Sequence, residues 1–216
     1  MDYQNLIQHP SHKPRIISVV GNSKIEVKPD YAELQIEVVT QSSDLSTAQR
    51  ENAQRMNQVI QALLTLNINR NDIQTAFFNV FPRYDFVEGK QVFREYEVSN
   101  GLTVNVHDVN SVGIVIDTAI KNGANRISQL EFKLANDSLH YQKALQLALQ
   151  NAHEKADAIA SSLRLTYKPL PVEIIEETSG GPILLRTVAV TQSSFETPIE
   201  QGMISVEATL NVKYQF

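Results

Sequence analysis

Five histidines, 24 aspartates and glutamates and no cysteine bound the chemistry open to this chain. The densest cluster is His153-Glu154-Lys155-Ala156-Asp157. On a helix, His153 and Asp157 stand four apart on one face, and the start imitates the His-Glu-x-x-His pattern that grips zinc. The second histidine is missing, however, and a zinc site needs three or four ligands. These residues fit better as the wet side of a helix whose apolar stripe runs from Ala152 to Ile159. His107-Asp108 could form a base with its orienting carboxylate, but no serine sits in a nucleophile-elbow pattern, and neighbours in extended chain point apart. His140 falls in the first turn of a helix, where exposure is expected, while His9 and His12 lie in a polar, proline-marked tail.

Two further patterns carry less. Ser179-Gly180-Gly181-Pro182 resembles a phosphate loop but lacks the lysine and the following helix such a loop needs. Glu173, Glu176 and Glu177 could pair for acid–base work, yet a solvated strand edge accounts for them equally well. No catalytic, cofactor-binding or metal-ligating residue is assigned, and no cofactor is expected. The missing cysteines remove disulfides, thiolate nucleophiles and cysteine-ligated metals together. A net charge of −5 argues against nucleic acid or an anionic membrane as partner. No run approaches the ~20 apolar residues of a membrane span, so the chain reads as soluble. Met1–Arg15 has no leader pattern, which places the chain in the cytoplasm if Met1 is the natural start and outside it if a leader preceded this sequence.

The elements behind these residues follow from periodicity. Apolar and polar residues alternate from Ala32 to Val38, Leu102 to Val106 and Leu130 to Leu134, and at greatest length from Val206 to Phe216. In the first of these, Ala32, Leu34 and Ile36 should be buried while Glu33, Gln35 and Glu37 face water. Ser46 and Gln49 fit a capping box opening a helix that runs to about Leu66. A shorter helix is expected over about Asn110–Lys121, stopped at Asn122-Gly123. The longest should start near Ser138, with Leu145, Ala148, Ala152, Ala156, Ile159 and Leu163 along its buried stripe. Phe86–Lys90 reads as a hairpin tip with Glu88-Gly89 as the turn. The expected fold is therefore α+β: a mixed, mostly antiparallel sheet, helices packed on one face, two β-α-β units (about Tyr31–Val80 and Val98–Leu134) and a long C-terminal strand. One domain is expected over residues 15–216, after a flexible tail over residues 1–14.

Residues 178–202 break this order. Ile183, Leu184, Leu185, Val188 and Val190 form an apolar run inside a long connection flanked by glycines and polar residues. A connection this long is unusual in a compact domain, and is more often a functional arm or a disordered segment. Exposed on a monomer it would be an aggregation hazard, so these five residues are the expected interface of a homo-oligomer. Burying them would contribute on the order of 8–15 kcal/mol before ordering costs. The alternative is an edge strand folded back on the chain's own sheet.

Several short pieces, in order, resemble the SIMPL-domain family, which includes bacterial periplasmic and surface-immunogenic proteins. They are Val27–Ala32, Glu51-Asn52-Ala53 with Met56-Asn57, Asp72–Thr75, Tyr96–Asn100 leading into Leu102–Val104, Gly123–Ile127, and Pro198–Gly202. The resemblance spans about Arg15 to Phe216. It implies a non-enzymatic α+β protein, with some members linked to oxidative-stress tolerance and some assembling into large hollow homo-oligomers. It supplies no catalytic residues. The alternatives left open are a small-ligand or protein-binding module and a hydrolase with an unrecognised site.

Overall fold

The computed structural model describes residues 15–166, 168–177, 183–185 and 197–216. The chain gathers into two compact units interleaved in sequence. The first comprises residues 27–135 with 184–204, and the second the described chain up to residue 26 with residues 136–183 and 205–216.

In the first unit, strand β2 (Tyr31–Ser42) leads into helix α1 (Leu45–Thr65), then β3 (Ile73–Val87), β4 (Lys90–Val106), helix α2 (Val112–Lys121) and β5 (Arg126–Lys133). The strand order is β3-β4-β2-β5, and all three neighbouring pairs are antiparallel. Because β2 and β3 are each antiparallel to β4, they run the same way, and the α1 crossover skips one strand between them. The α2 crossover from β4 to β5 likewise skips β2. This is the split β-α-β arrangement of a ferredoxin-like unit, and it contains both expected β-α-β units.

Asp44, not a Ser46–Gln49 box, caps α1: its carboxylate accepts from the Thr47 backbone N–H at 2.7 Å. An aspartate just before the first turn outcompetes a serine two residues further in. Ala48 is buried, and Met56, Val59 and Leu63 meet Leu34, Ile36, Leu102 and Val104 in one core. The alternation of β2 holds for Ala32, Leu34, Ile36 and Val38, and Phe132 is half-buried against the core. Glu37 departs from its expected exposure and is 5% exposed. The face opposite the helices is therefore not simply wet. The α2 helix ends at Gly123, whose φ of 116° only glycine adopts without strain.

The second unit holds β1 (Ile16–Val27), helix α3 (Asp137–Ser162), β6 (Leu170–Glu177) and β8 (Met203–Gln215), in the strand order β1-β8-β6. A short strand β7 (Ile183–Leu185) also pairs with β8. The one sheet expected from sequence is thus two. Alternation reports a covered face but not which sheet a strand joins. Val206, Ala208, Leu210, Val212 and Tyr214 are buried as expected. The buried stripe of α3 differs from expectation: it is Ala144, Ala148, Ala152, Ala156 and Ala160, while Ile159 and Leu163 are exposed. Strict four-residue spacing places the alanines in one row, and the row is narrow because β1 approaches closely. A side chain at Gly21 would sit 2.1 Å from the Ala148 carbonyl oxygen.

Candidate functional site

Among the described residues, those singled out for chemistry do not converge. His153 Nε2 lies 3.8 Å from Asp157 Oδ2 on the exposed side of α3, and its ring packs against Tyr214 at 5.8 Å. Among the described residues no three His, Asp or Glu side chains gather as metal ligands. His107 turns away from Asp108: its Nε2 meets Asp72 Oδ1 at 3.1 Å, and Asp108 instead caps the next turn by accepting from the Asn110 N–H. His140 is half-buried, not exposed. The β6 carboxylates are held apart. Glu173 accepts two bonds from the Lys213 ammonium, and Glu176 accepts from the Tyr141 hydroxyl at 2.6 Å. That last bond raises the Tyr141 pKa, with burial adding less. Tyr214 is fully buried, its hydroxyl has no hydrogen-bond partner among the described residues, and burial first, then Asp157, pushes its pKa up.

Of the expected interface, Ile183, Leu184 and Leu185 form β7, which pairs with β8. Val188, Val190, His9, His12 and Ser179–Pro182 lie outside the described residues.

Sequence reasoning missed two features. One is a cleft of about 420 Å³ in the first unit, lined by Val39, Thr40, Gln41, Glu51, Arg55, Glu97, Asn125 and Arg126. Three of the short pieces noted in sequence meet here, because Gln41 lies opposite Glu97 and Glu37 opposite Arg126 in the two ladders. Asn125 clamps the Val39 backbone, accepting from its N–H at 2.9 Å and donating to its carbonyl at 2.7 Å. Behind the cleft, buried Asn52 donates to the carbonyls of Val38 and Val98. The charges are matched in pairs: Arg126 with Glu37 at 3.3 Å, Arg55 with Glu51 at 3.7 Å, and Arg83 with Glu97 at 3.7 Å. A nucleophile or base needs a group left poised, and every carboxylate here already has a guanidinium. The cleft ties strand to strand.

The other feature is a surface. Strand β2 accompanies β4 only as far as Ser42, opposite Tyr96. Beyond that point β3 and β4 continue as a two-stranded ribbon, Arg83–Val87 against Lys90–Glu95. Its tip is a two-residue turn with Glu88 at φ 48° and Gly89 at φ 77°, the two positive angles a type I′ hairpin requires. Tyr84, Phe93 and Tyr96 form a chain of rings, at 5.9 Å edge-on and then 5.0 Å. Around them Phe81, Phe86, Val87 and Val92 are exposed, Phe86 by 77%. An isolated two-stranded ribbon is marginal in water, and a strip of exposed aromatics is the usual mark of a contact surface. The sequence signal was present in Phe77-Phe78, Phe81, Tyr84, Phe86 and Phe93, but alternation cannot show where a neighbouring strand stops.

Comparison with known proteins identifies the family. The profile of the SIMPL family, described as proteins of unknown function (DUF541), matches residues 17–214. A 26 kDa periplasmic immunogenic protein of Brucella melitensis is 26% identical over 219 residues, covering 94% of this chain and 85% of its own. The uncharacterized protein YggE of Escherichia coli K12 is 25% identical over 215 residues, covering 94% of this chain and 83% of its own. With almost its whole length matched, the chain belongs to the SIMPL family.

Proposed function

We propose that this SIMPL protein acts without catalysis, as a self-associating protein whose ribbon docks on another copy. The observation that carries the reading is the ribbon itself: two strands with no described neighbour, bearing Tyr84, Phe86 and Phe93 into solvent. The paired charges of the cleft support the non-enzymatic half, since they leave no side chain poised to react. The name of the Brucella relative supports a setting in the bacterial envelope, where a cysteine-free chain meets no redox constraint. A part in envelope maintenance or stress tolerance fits a non-catalytic assembly of this kind.

The test is mass in solution by light scattering, for the intact chain and for Phe86→Ser. Phe86 is exposed, so its loss leaves the fold standing. An oligomer that loses mass on this change supports the reading. A monomeric intact chain, or an unchanged mass in the variant, counts against it. The arm over 178–202, with Ile183, Leu184, Leu185, Val188 and Val190, is the rival assembly element, and the double variant Leu184→Asp/Val188→Asp run alongside tells the two apart.

A further inference from the structure

The ribbon has a match on the same chain. Strand β6 pairs only with β8 among the described strands, from Leu170 opposite Gln215 to Glu177 opposite Thr209, so no described strand covers its outer edge. Every residue of β6 is exposed, including Leu170 by 68%, Val172 by 53% and Ile174 by 51%. A bare apolar edge strand is a template for strand addition, and proteins that keep one cover it. In the ribbon, no described strand covers the outer edge of β4 either, once β2 has ended at Ser42 opposite Tyr96. The outer edge of β3 is the poorer donor, because Pro82 removes an N–H and the register breaks twice along the strand.

Resting on the self-association proposed above, we propose that the outer edge of β4 over Lys90–Phe93 in one copy adds antiparallel to β6 over Ile174–Glu177 in the next, with Lys90 opposite Glu177. Registers differ sharply in what they bring together. This one sets Val92 opposite Ile175 and Phe93 opposite Ile174, and it places Arg94 beside Glu173. Sliding one residue one way drops Val92 against Glu176 and Glu95 against Glu173. Sliding the other way sets Phe93 against Glu173. Matched apolar and opposite-charge pairs are the unit of sheet stabilisation, and like charges face to face are unfavourable. The bulge at Arg94 ends the ladder where the ribbon rejoins the sheet. Arg94 already meets Asp85 at 3.6 Å and Glu95 at 3.3 Å, and Glu173 meets Lys213. These exposed pairs rearrange at little cost, so the sharper determinant is Lys90 with Glu177.

The complementarity also identifies the occupant. An edge-to-edge pair of two β6 strands would crowd Glu173, Glu176 and Glu177 of both copies at one seam. Lys90 and Arg94 on the β4 edge, set against the acidic–aliphatic edge of β6, avoid that, and one chain carries both halves. Each copy then gives one ribbon and accepts one. The contact is head-to-tail, and it closes into a ring or runs on as a filament.

Charge exchange tests this with side chains that are exposed in the single chain. Lys90→Glu sets carboxylates face to face, and Glu177→Lys sets ammonium groups face to face. Each is expected to raise the concentration at which the oligomer dissociates by about three- to tenfold in low salt, as for an exposed ion pair turned repulsive. The double variant Lys90→Glu/Glu177→Lys should recover the intact midpoint. Mixing the two single variants should also rebuild oligomer, because each then meets its complement at both ends. Sedimentation of the four proteins and the mixture reads all of this. If the intact chain is monomeric, the self-association reading and this interface both fall. If the intact chain is oligomeric but the single changes leave its midpoint alone, or neither the double variant nor the mixture restores it, the interface falls and self-association stands.

Discussion

The two units cover their sheets in opposite ways. In the first, α1 and α2 bring Met56, Val59, Leu63, Val112 and Ile116 down onto Leu34, Ile36, Leu102 and Val104. Large aliphatic side chains fill the space between helix and strand, and burial of each contributes roughly 1.5–3 kcal/mol. In the second, α3 offers a row of five alanines and β1 answers with Gly21, so backbone approaches backbone. That contact buries little side chain and depends on close fit and dispersion. One unit is held by bulk and the other by the lack of it. Opposite substitutions should therefore break them.

The largest effect is expected from truncation in the first unit. Leu63→Ala empties a fully buried site between α1 and the sheet and should lower stability by about 2–5 kcal/mol in urea unfolding. Truncating the α3 row, by contrast, has almost nothing to remove. There the damaging change is enlargement. Ala152→Leu, or Gly21→Val, forces a side chain into space held by the opposing chain and should lower stability by about 1–3 kcal/mol. If Ala152→Leu is neutral, the close-approach account of α3 is mistaken. A third change sharpens the comparison from inside the first unit. Asn52→Leu keeps the forked shape of the side chain but removes the two bonds to the Val38 and Val98 carbonyls, and should lower stability by about 1–3 kcal/mol despite its added apolar surface.

This contrast explains what was legible in the sequence. Alternation identified the buried faces of β2, β4 and β8 because large aliphatics mark them, and the Glu88-Gly89 turn and the Gly123 stop followed from backbone preference. The stripe of α3 was misjudged because alanine is a weak hydrophobic signal: Leu145, Ile159 and Leu163 outweighed the row that makes the contact. Glu37 was misjudged because its burial depends on Arg126, 89 residues away, which no periodicity reports. The cleft was visible only as separate short pieces, since their meeting requires the registers of two ladders. The ribbon's aromatics were in plain view, but their exposure follows from β2 ending at Ser42 while β3 and β4 continue.

The smallest expected effect concerns two exposed carboxylates of the first unit that stitch loops to helices. Asp44 accepts from Thr47 at the start of α1, and Asp117 on α2 accepts from both the backbone N–H and the hydroxyl of Thr197. Hydrogen bonds to Thr47 and to Thr197 hold the two carboxyls below the ordinary aspartate range. A carboxyl whose pKa is lower folded than unfolded contributes stability that is fully present above the unfolded value and is lost as pH falls through the folded one. The thermal midpoint should therefore decline with acid below the ordinary aspartate pKa and level off only beneath the depressed folded values. Asparagine keeps an acceptor oxygen and a good helix cap but cannot titrate. The double variant Asp44→Asn/Asp117→Asn should nearly match the intact chain at neutral pH and show a shallower acid decline. Both groups are exposed and screened, so this slope should be smaller than the loss from any of the core changes. An acid decline of the same steepness in the variant would mean that the bonds from Thr47 and Thr197 do not carry it.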